Sequence, residues 1–392
     1  MDDIFTASVL NVLSICSESV VNPNSSFFRN DYDEPEDSSL IAAIDSNEEY
    51  REERYKISGY VHDIVPKYSD DIFKSHFRLT RSTVEILLSM LPQEPARRKA
   101  RIPKETSVLF SLWFMGNQES YRGVCDRFGL GFASGHREFT KFCTSICALS
   151  NSIIKMPQGF EIERIRQGFQ KLRVKPFPGT IGCIDGTHIA FSVSKEEKND
   201  HINRKGYPSV VLQAICDHEL KFLDVYAGWP GSANDARVFR NSPLFKNMEE
   251  KEDFIPSDCH ILGDCAYPLN NKIMTPYRNN GHLTRKQKLF NTILSSTRVL
   301  IEQAFAHLFG RFRKLIYIYV RRREFVPDVI VAACVLHNLC IMHNDITPGI
   351  YDQLDLLSCH STEQFDAGIN KNDSGAHKRD QIADYLFNLE CA

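Results

Sequence analysis

Apolar and polar residues recur with a helical period in the first part of the chain. Between about 70 and 155, apolar positions return every three or four residues, which predicts a run of helices. The first spans about 82–91, with Thr80 or Ser82 as its N-cap and Pro92 as its stop. Three more are predicted at about 104–115, 120–128 and 134–149.

The period changes after residues 176–179, Pro-Phe-Pro-Gly. Short runs rich in β-branched residues predict strands, and later runs regain the helical period. The predicted strands are 180–184, 189–193, 209–216, 222–227, 260–262 and, less regularly, 314–320. The predicted helices are 235–240, 294–309, 327–342 and a short one near 381–387. This order predicts an α/β fold with a mixed sheet, preceded by an all-helical region.

Length and charge divide the chain further. The 392 residues are 42% hydrophobic, enough for a sizeable core. The net charge of −3 conceals an acidic start, since residues 1–50 hold eleven Asp or Glu and one basic residue, leaving +7 for the rest. We therefore predict a largely disordered leader (1–50), a helical domain (51–155), a catalytic α/β domain (156–345) and a polar tail (346–392). A basic body is compatible with a polyanionic partner or with an ordinary solvated surface.

The cysteines and the apolar runs bear on location. None of the twelve cysteines forms a CxxC pair and several lie in apolar runs, which is typical of a reducing compartment. The start of the chain lacks a basic signal-peptide region, and the longest clear apolar run, 329–336, is too short for a bilayer. We expect no membrane association. Cys334, His337, Cys340 and His343 are spaced by three and fan around a helix, which favours core packing over a metal site.

Two aspartates follow strand-like runs and are candidate metal ligands. Asp185 follows an apolar run and precedes Gly186, and Asp264 follows the run 260–263. Each could instead belong to a turn, because Asp-Gly and Asp near Pro are common there. If the strands are neighbours in the sheet, the two carboxylates meet at one edge and suit Mg²⁺ or Mn²⁺.

Two further acids could join them. Glu302 borders the apolar stripe of its predicted helix, where it either pairs with Arg298 on the helix surface or binds a cation. Asp235 opens a helix, either as an N-cap or first-turn acid or as an additional ligand. Together the acids predict a site for two-cation phosphodiester chemistry.

Basic residues suggest how DNA would be held. The helices 120–128 and 134–149, joined by a glycine turn, have the outline of a helix-turn-helix, although a plain helical bundle has the same outline. Arg137 and Lys141 lie on one face of the second helix. Near the acids, Arg204, Lys205, Arg311 and Arg313 are candidate phosphate contacts, and solubility is the alternative explanation.

The motifs in combination resemble the PIF/Harbinger superfamily of DDE transposases and the nucleases derived from Harbinger transposases. The matching segments, which lie between about 70 and 345, are GCIDGTH (182–188), KGYPSVVLQAICD (205–217), AGWPGS (227–232), NDARVF (234–239), GDCAYPL (263–269), RVLIEQAF (298–305) and LHNLC (336–340).

The resemblance implies an RNase H-like catalytic domain with a metal-binding triad of Asp185, Asp264 and Glu302, and with Asp235 as a further ligand. It also implies Mg²⁺ or Mn²⁺ as cofactor, DNA as substrate, a nuclear location with the cytoplasm as a second compartment, and a Myb-like (SANT-type) DNA-binding helper protein. A homo-oligomer stays open. Two functions follow: a metal-dependent DNA endonuclease, or a domesticated DNA- or protein-binding nuclear factor that keeps the fold and makes no cut.

Overall fold

A computed structural model of the chain describes residues 56–92, 102–172, 174–193, 198–319, 323–345 and 373–391. The predicted acidic leader and residues 346–372 of the predicted tail lie outside these ranges. The helices before the sheet are α1 (Asp70–Phe77), α2 (Arg81–Met90), α3 (Lys104–Gly116), α4 (Tyr121–Arg127), α5 (Phe132–Cys147), α6 (Ser150–Ile153) and α7 (Phe160–Lys171).

Local signals explain most of these helix bounds. Thr80 caps α2 by accepting a hydrogen bond from the backbone N–H of Thr83, as predicted. Helix α5 starts two residues before the predicted position, because Gly131 is its N-cap and Ser134 lies inside the first turn. Phe139 and Phe142 are buried on its inner face, while Arg137 and Lys141 are exposed.

The remaining elements form the sheet and its covering helices. They are β1 (Thr180–Phe191), α8 (Lys198–His201), β2 (Ser209–Cys216), β3 (Phe222–Pro230), α9 (Asp235–Arg240), α10 (Pro243–Glu250), β4 (His260–Leu262), β5 (Ile273–Met274), α11 (Arg285–Arg311), β6 (Tyr317–Ile318), α12 (Val326–Met342) and α13 (Asp373–Cys391).

The sheet is mixed, with strand order β3-β2-β1-β4-β5. β1, β2 and β3 form an antiparallel meander, whereas β4 and β6 both pair with β1 in parallel. The prediction of separate strands at 180–184 and 189–193 is wrong, because one strand runs through both and through Asp185-Gly186 between them. Pairing with β2 holds residues 183–190 extended, so the Asp-Gly pair forms no turn.

Helices α11 and α12 pack against the sheet and connect it to the N-terminal helices. Phe305 of α11 contacts Phe222 of β3, and the buried Asn338 of α12 bonds both the N–H and the C=O of Phe222 at 2.8 and 2.7 Å. Cys334, His337 and Cys340 are buried in this core, as expected, whereas the prediction is wrong for His343, which follows the last residue of α12 and is exposed. The stretch Arg323–Met342 has the length and composition of a membrane span, but 67% of it is buried inside the protein, as in a core helix.

Two helices are longer than predicted. α11 begins at Arg285 and not near 294, because Thr284 and Gln287 form a capping box that starts it earlier. α13 spans nineteen residues and packs on α11 and the edge strand β5. Lys286 of α11 donates to Asp384, and Tyr277, three residues after β5, donates to Asp380. Of the region predicted as a strand at 314–320, the structure describes 314–319. Residues 314–316 belong to a 3₁₀ turn, and among the described residues of this region Tyr317 and Ile318 pair with β1.

Candidate active site

The site forms where β1 loses its partner on one side. β4 pairs with residues 180–183 and β6 with Ala190 and Phe191, so within the described residues no strand pairs with 184–189 along this edge. Cys183 lies opposite Leu262 in the parallel pair. Asp185 and Asp264 each follow these partners by two residues, which brings both carboxylates to the opening. The prediction that the two strands are neighbours is thereby confirmed.

Asp264 is fixed by its own backbone. Its Oδ1 accepts a hydrogen bond of 2.9 Å from the N–H of Ala266, and its carbonyl accepts one from the N–H of Tyr267. This turn leads the chain away from β4 immediately after the carboxylate. Asp185 similarly accepts a hydrogen bond of 2.8 Å at Oδ1 from the N–H of Gly186.

Asp235 reaches the same place from α9. Asn234, and not Asp235, is the N-cap of α9, since its side chain accepts a 2.8 Å hydrogen bond from the N–H of Arg237. Asp235 is therefore the first helical residue, and its Oδ1 lies over Gly186, where an added Cβ would approach it to 2.3 Å. Glycine at 186 is what permits this close approach.

The pKa values of all three aspartates are raised, chiefly by burial. Burial raises the pKa of Asp185 to about 7, against the lowering effect of the Arg298 guanidinium and with the help of the charges of Asp264 and Asp235. Burial and the charge of Asp264 raise the pKa of Asp235 to about 6. Burial also raises the pKa of Asp264. Ionising buried carboxylates that lie close together is costly, and a bound cation would stabilise their charged form.

Arg298 supplies part of that positive charge. Its Nη1 donates to Oδ2 of Asp185 at 2.5 Å, and its Nη2 donates to Oε1 of Glu302 at 2.8 Å. Glu302 thus forms the helical i,i+4 pair with Arg298 that the sequence offered as one alternative. The structure brings Asp185, Asp235 and Asp264 together and links Glu302 to them through the guanidinium.

The donor set suits a hard divalent cation, although its present arrangement does not enclose one. Among the described residues no group of three or more His, Cys, Asp or Glu side chains is arranged to hold a metal ion. The guanidinium of Arg298 stands between Asp185 and Glu302 and holds them apart from one another. The three aspartates nevertheless offer carboxylate oxygens, which are the ligands that Mg²⁺ and Mn²⁺ take.

Two buried polar side chains near these acids were not predicted. The hydroxyl of Tyr267 is buried, has no hydrogen-bond partner within the described ranges and feels the charges of all three aspartates. Gln213 lies opposite Gly186 on β2, buried and equally unpartnered. Unpaired buried polar groups are costly, so they indicate a bound group or water at this position. In the sequence, Gln213 was detectable as the lone amide in the apolar run 209–216.

The six predicted DNA contacts occupy three settings. Arg204 and Lys205 are exposed, and Arg204 is close enough to Asp235 for its charge to lower the pKa of that carboxyl. Arg137 and Lys141 are exposed on α5. Arg313 is half-buried, and Arg311 is buried, donating to the carbonyls of Arg78 and Asp345 at 2.7 and 2.6 Å. Its interior position gives Arg311 a structural role and leaves it out of reach of a phosphate.

The part of the chain that carries these residues is similar to known proteins. Residues 184–338 match the family described as the DDE superfamily endonucleases. The human protein "Putative nuclease HARBI1" is 27% identical over 70% of this chain and 79% of its own length. Two Arabidopsis thaliana proteins are also similar: "Antagonist of like heterochromatin protein 1", 25% identical over 71% of this chain and 74% of its own, and "Protein ALP1-like", 26% identical over 80% and 81%. No solved structure matches the chain.

Proposed function

We propose that this chain, which belongs to the DDE superfamily endonucleases and has their RNase H-like fold, is a divalent-metal-dependent nuclease that hydrolyses phosphodiester bonds of DNA. The observation that carries the proposal is the convergence of Asp185, Asp235 and Asp264 at the unpaired edge of β1. Three ionisable carboxylates in a half-buried opening have little structural purpose without a cation.

Asp185, Asp235 and Asp264 would hold the metal, with Glu302 joining them when Arg298 releases it. A bound Mg²⁺ or Mn²⁺ would supply an activated water and charge stabilisation for the leaving oxygen. The protein's own contribution is positional. The backbone hydrogen bonds of Asp185 and Asp264 fix two carboxylates, and Gly186 admits the third.

Nicking of supercoiled plasmid DNA tests this function. We expect nicking with Mn²⁺ or Mg²⁺, none with EDTA, and at least a hundredfold loss in Asp185→Asn and Asp264→Asn proteins, as for removal of a group central to the chemistry. Asp224→Asn is the matched control. Asp224 lies in the same sheet, opposite Ile215 and hence on the other face from Asp185, and burial alone raises its pKa to about 6. Equal nicking by wild type and both site variants contradicts the proposal.

A second function has one specific observation in its favour. Arg298 already satisfies Asp185 and Glu302, as expected of a domesticated DNA- or protein-binding factor that makes no cut. The name of the Arabidopsis relative describes antagonism of a heterochromatin protein and no nuclease. Under this alternative, Glu302→Gln leaves DNA binding and the cellular phenotype unchanged. Under the nuclease proposal, it abolishes nicking.

The same proposal places the protein in the nucleus. A substrate of chromosomal DNA requires nuclear access, and a Myb-like helper protein could supply both entry and sequence recognition. Fractionation of cells, followed by cross-linking of the full-length chain, would test the location and reveal whether it forms a homo-oligomer or a complex with another protein.

A further inference from the structure

A small turn beside the carboxylates is held by a buried amide. An isolated bridge between Ile202 and Pro208 closes residues 203–207 into a turn. The Oδ1 of the buried Asn203 accepts hydrogen bonds from the N–H groups of Lys205 and Tyr207, at 2.9 and 3.4 Å. The side chains of Arg204 and Lys205 are exposed from this turn. Its backbone is therefore fixed while its two cations face outward.

The same amide is connected to His188 through a serine. Asn203 Nδ2 donates to Ser209 Oγ at 3.1 Å, and Ser209 Oγ lies 3.1 Å from Nδ1 of His188. Ser209 is fully buried, so its hydroxyl hydrogen requires an acceptor, and Nδ1 of His188 can serve as that acceptor. The ring hydrogen is then on Nε2, where it can be donated outward. Burial and the charges of Lys205 and Arg204 lower the pKa of His188 to about 4, so the ring is neutral at physiological pH.

This group lies next to the carboxylate centre. His188 follows Asp185 by three residues on β1, about 10 Å along the strand, and its side chain points to the other face of the sheet from Asp185. That is the face of Gly186, over which Asp235 Oδ1 lies. Arg204 is close to both regions, since its charge lowers the pKa of His188 and of Asp235. A DNA strand whose phosphates pass Asp235 would therefore meet an N–H donor and two cations on the same face of the sheet.

We propose that His188, Arg204 and Lys205 form a phosphate-binding site that holds the DNA strand beside the carboxylates. The identity of the ligand rests on the proposed function. Guanidinium, ammonium and imidazole N–H groups all donate to phosphate oxygens, which carry no base identity. The site therefore fixes the position of the strand without reading its sequence. Asn203 and Ser209 act as positioning residues.

DNA binding without cleavage tests the site. We measure fluorescence anisotropy of a labelled 30-base-pair duplex in EDTA, between about 50 and 200 mM NaCl. The Arg204→Gln/Lys205→Gln protein should bind about tenfold more weakly at 0.1 M salt, and its log–log salt slope should be shallower by about 2. His188→Ala should lose about fivefold, the value of one hydrogen bond, whereas His188→Gln keeps an N–H donor and should stay within about twofold of wild type.

Lys171→Gln is the matched charge control. Lys171 is exposed on α7, whose Gly168 packs on His218 in the β2–β3 turn, at the opposite end of β2 from residues 203–207. The Lys171→Gln protein should bind the duplex with the affinity of wild type. Asn203→Ala should weaken binding and speed amide hydrogen exchange at Lys205 and Tyr207, a change that a surface charge would not cause.

The outcomes separate this site from the nuclease. Unchanged affinity and slope in the double variant, an equal loss in Lys171→Gln, or no binding by wild type in EDTA would each overturn it. A protein that binds DNA here but never nicks plasmid overturns the endonuclease and leaves the phosphate site standing. If wild type nicks plasmid normally and the double variant binds DNA normally, only the phosphate site is overturned.

Discussion

Arg298 on α11 forms a salt bridge with Asp185 on β1, although 113 residues separate them in the sequence. Both side chains retain less than a fifth of their exposure, at 17% and 18%. The same guanidinium binds Glu302 one turn along the helix. The guanidinium of Arg298 thus neutralises Asp185 and Glu302, as a bound cation at this position would.

Removal of this guanidinium should make the protein depend on a cation for stability. Arg298→Met leaves Asp185 and Glu302 without their partner and should cost roughly 2–3 kcal/mol of unfolding free energy in EDTA, less than for a fully buried pair. Because Mn²⁺ can then replace the guanidinium, it should raise the melting temperature more in the variant than in wild type at pH 8. Differential scanning fluorimetry with and without Mn²⁺ measures this, and equal stabilisation of both proteins would contradict it.

Neighbouring residues at the start of α9 should separate stability from metal binding. Asn234→Ala removes the helix cap and should cost about 1 kcal/mol without changing Mn²⁺ affinity. Asp235→Asn removes a carboxylate that crowds Asp264, so it should leave stability unchanged or higher, yet weaken Mn²⁺ binding about tenfold. Urea unfolding and calorimetric titration with Mn²⁺ test the pair. If both variants bind Mn²⁺ like wild type, Asp235 is not a ligand.

The carboxylate cluster should make the metal-free protein less stable as pH rises. The pKa values of Asp185 and Asp235 are raised to about 7 and about 6 in the fold, so the folded state binds more protons than the unfolded state between about pH 4 and 7. The free energy of unfolding therefore falls as pH rises through this window.

Comparison with the Asp185→Asn/Asp235→Asn protein isolates this effect from other titrating groups. In EDTA, wild type should lose roughly 2–4 kcal/mol relative to the variant between pH 5 and pH 8. Urea unfolding at both pH values gives the difference. A constant difference across the two conditions would show that the carboxylates do not titrate as described.

Asp345 should stabilise the junction between the N-terminal helices and the α/β part of the chain. It accepts from the N–H of Thr80 at 2.7 Å, pairs with Lys74 at 2.8 Å and lies 3.6 Å from Arg311. Although burial opposes its ionisation, these partners hold the pKa of Asp345 below its usual range. Its stabilisation is therefore present at neutral pH and lost as pH falls through the lowered pKa.

Asp345→Asn should cost about 3 kcal/mol at pH 7, since it leaves buried cations without their partner. Asp70→Asn is the control, because Asp70 is 90% exposed in its pair with Arg81 and should contribute almost nothing. Urea unfolding compares them. Similar small losses in both would show that the junction does not depend on Asp345.

Local pattern determined most elements but not how far they continue. Some elements could be predicted because each depends on its own residues and their neighbours; these are the cap at Thr80, the strand 209–216 and the helix 235–240. The early start of α11 could also have been predicted from the sequence, because Thr284 and Gln287 form a capping box. The hydrophobic periodicity alone does not indicate it. Asp185-Gly186 was ambiguous locally, and pairing with β2 decided that it is strand and not turn.

By itself, the sequence determined which carboxylates were available and, through two similar strand-like runs, that Asp185 and Asp264 could share an edge. Tertiary structure decided what surrounds them. The unpaired edge of β1, Arg298 between Asp185 and Glu302, the buried Tyr267 hydroxyl and the interior position of Arg311 all depend on contacts between distant segments. Local periodicity reports which face of an element is apolar, whereas the burial and charge around a polar side chain are set by the elements that pack against it.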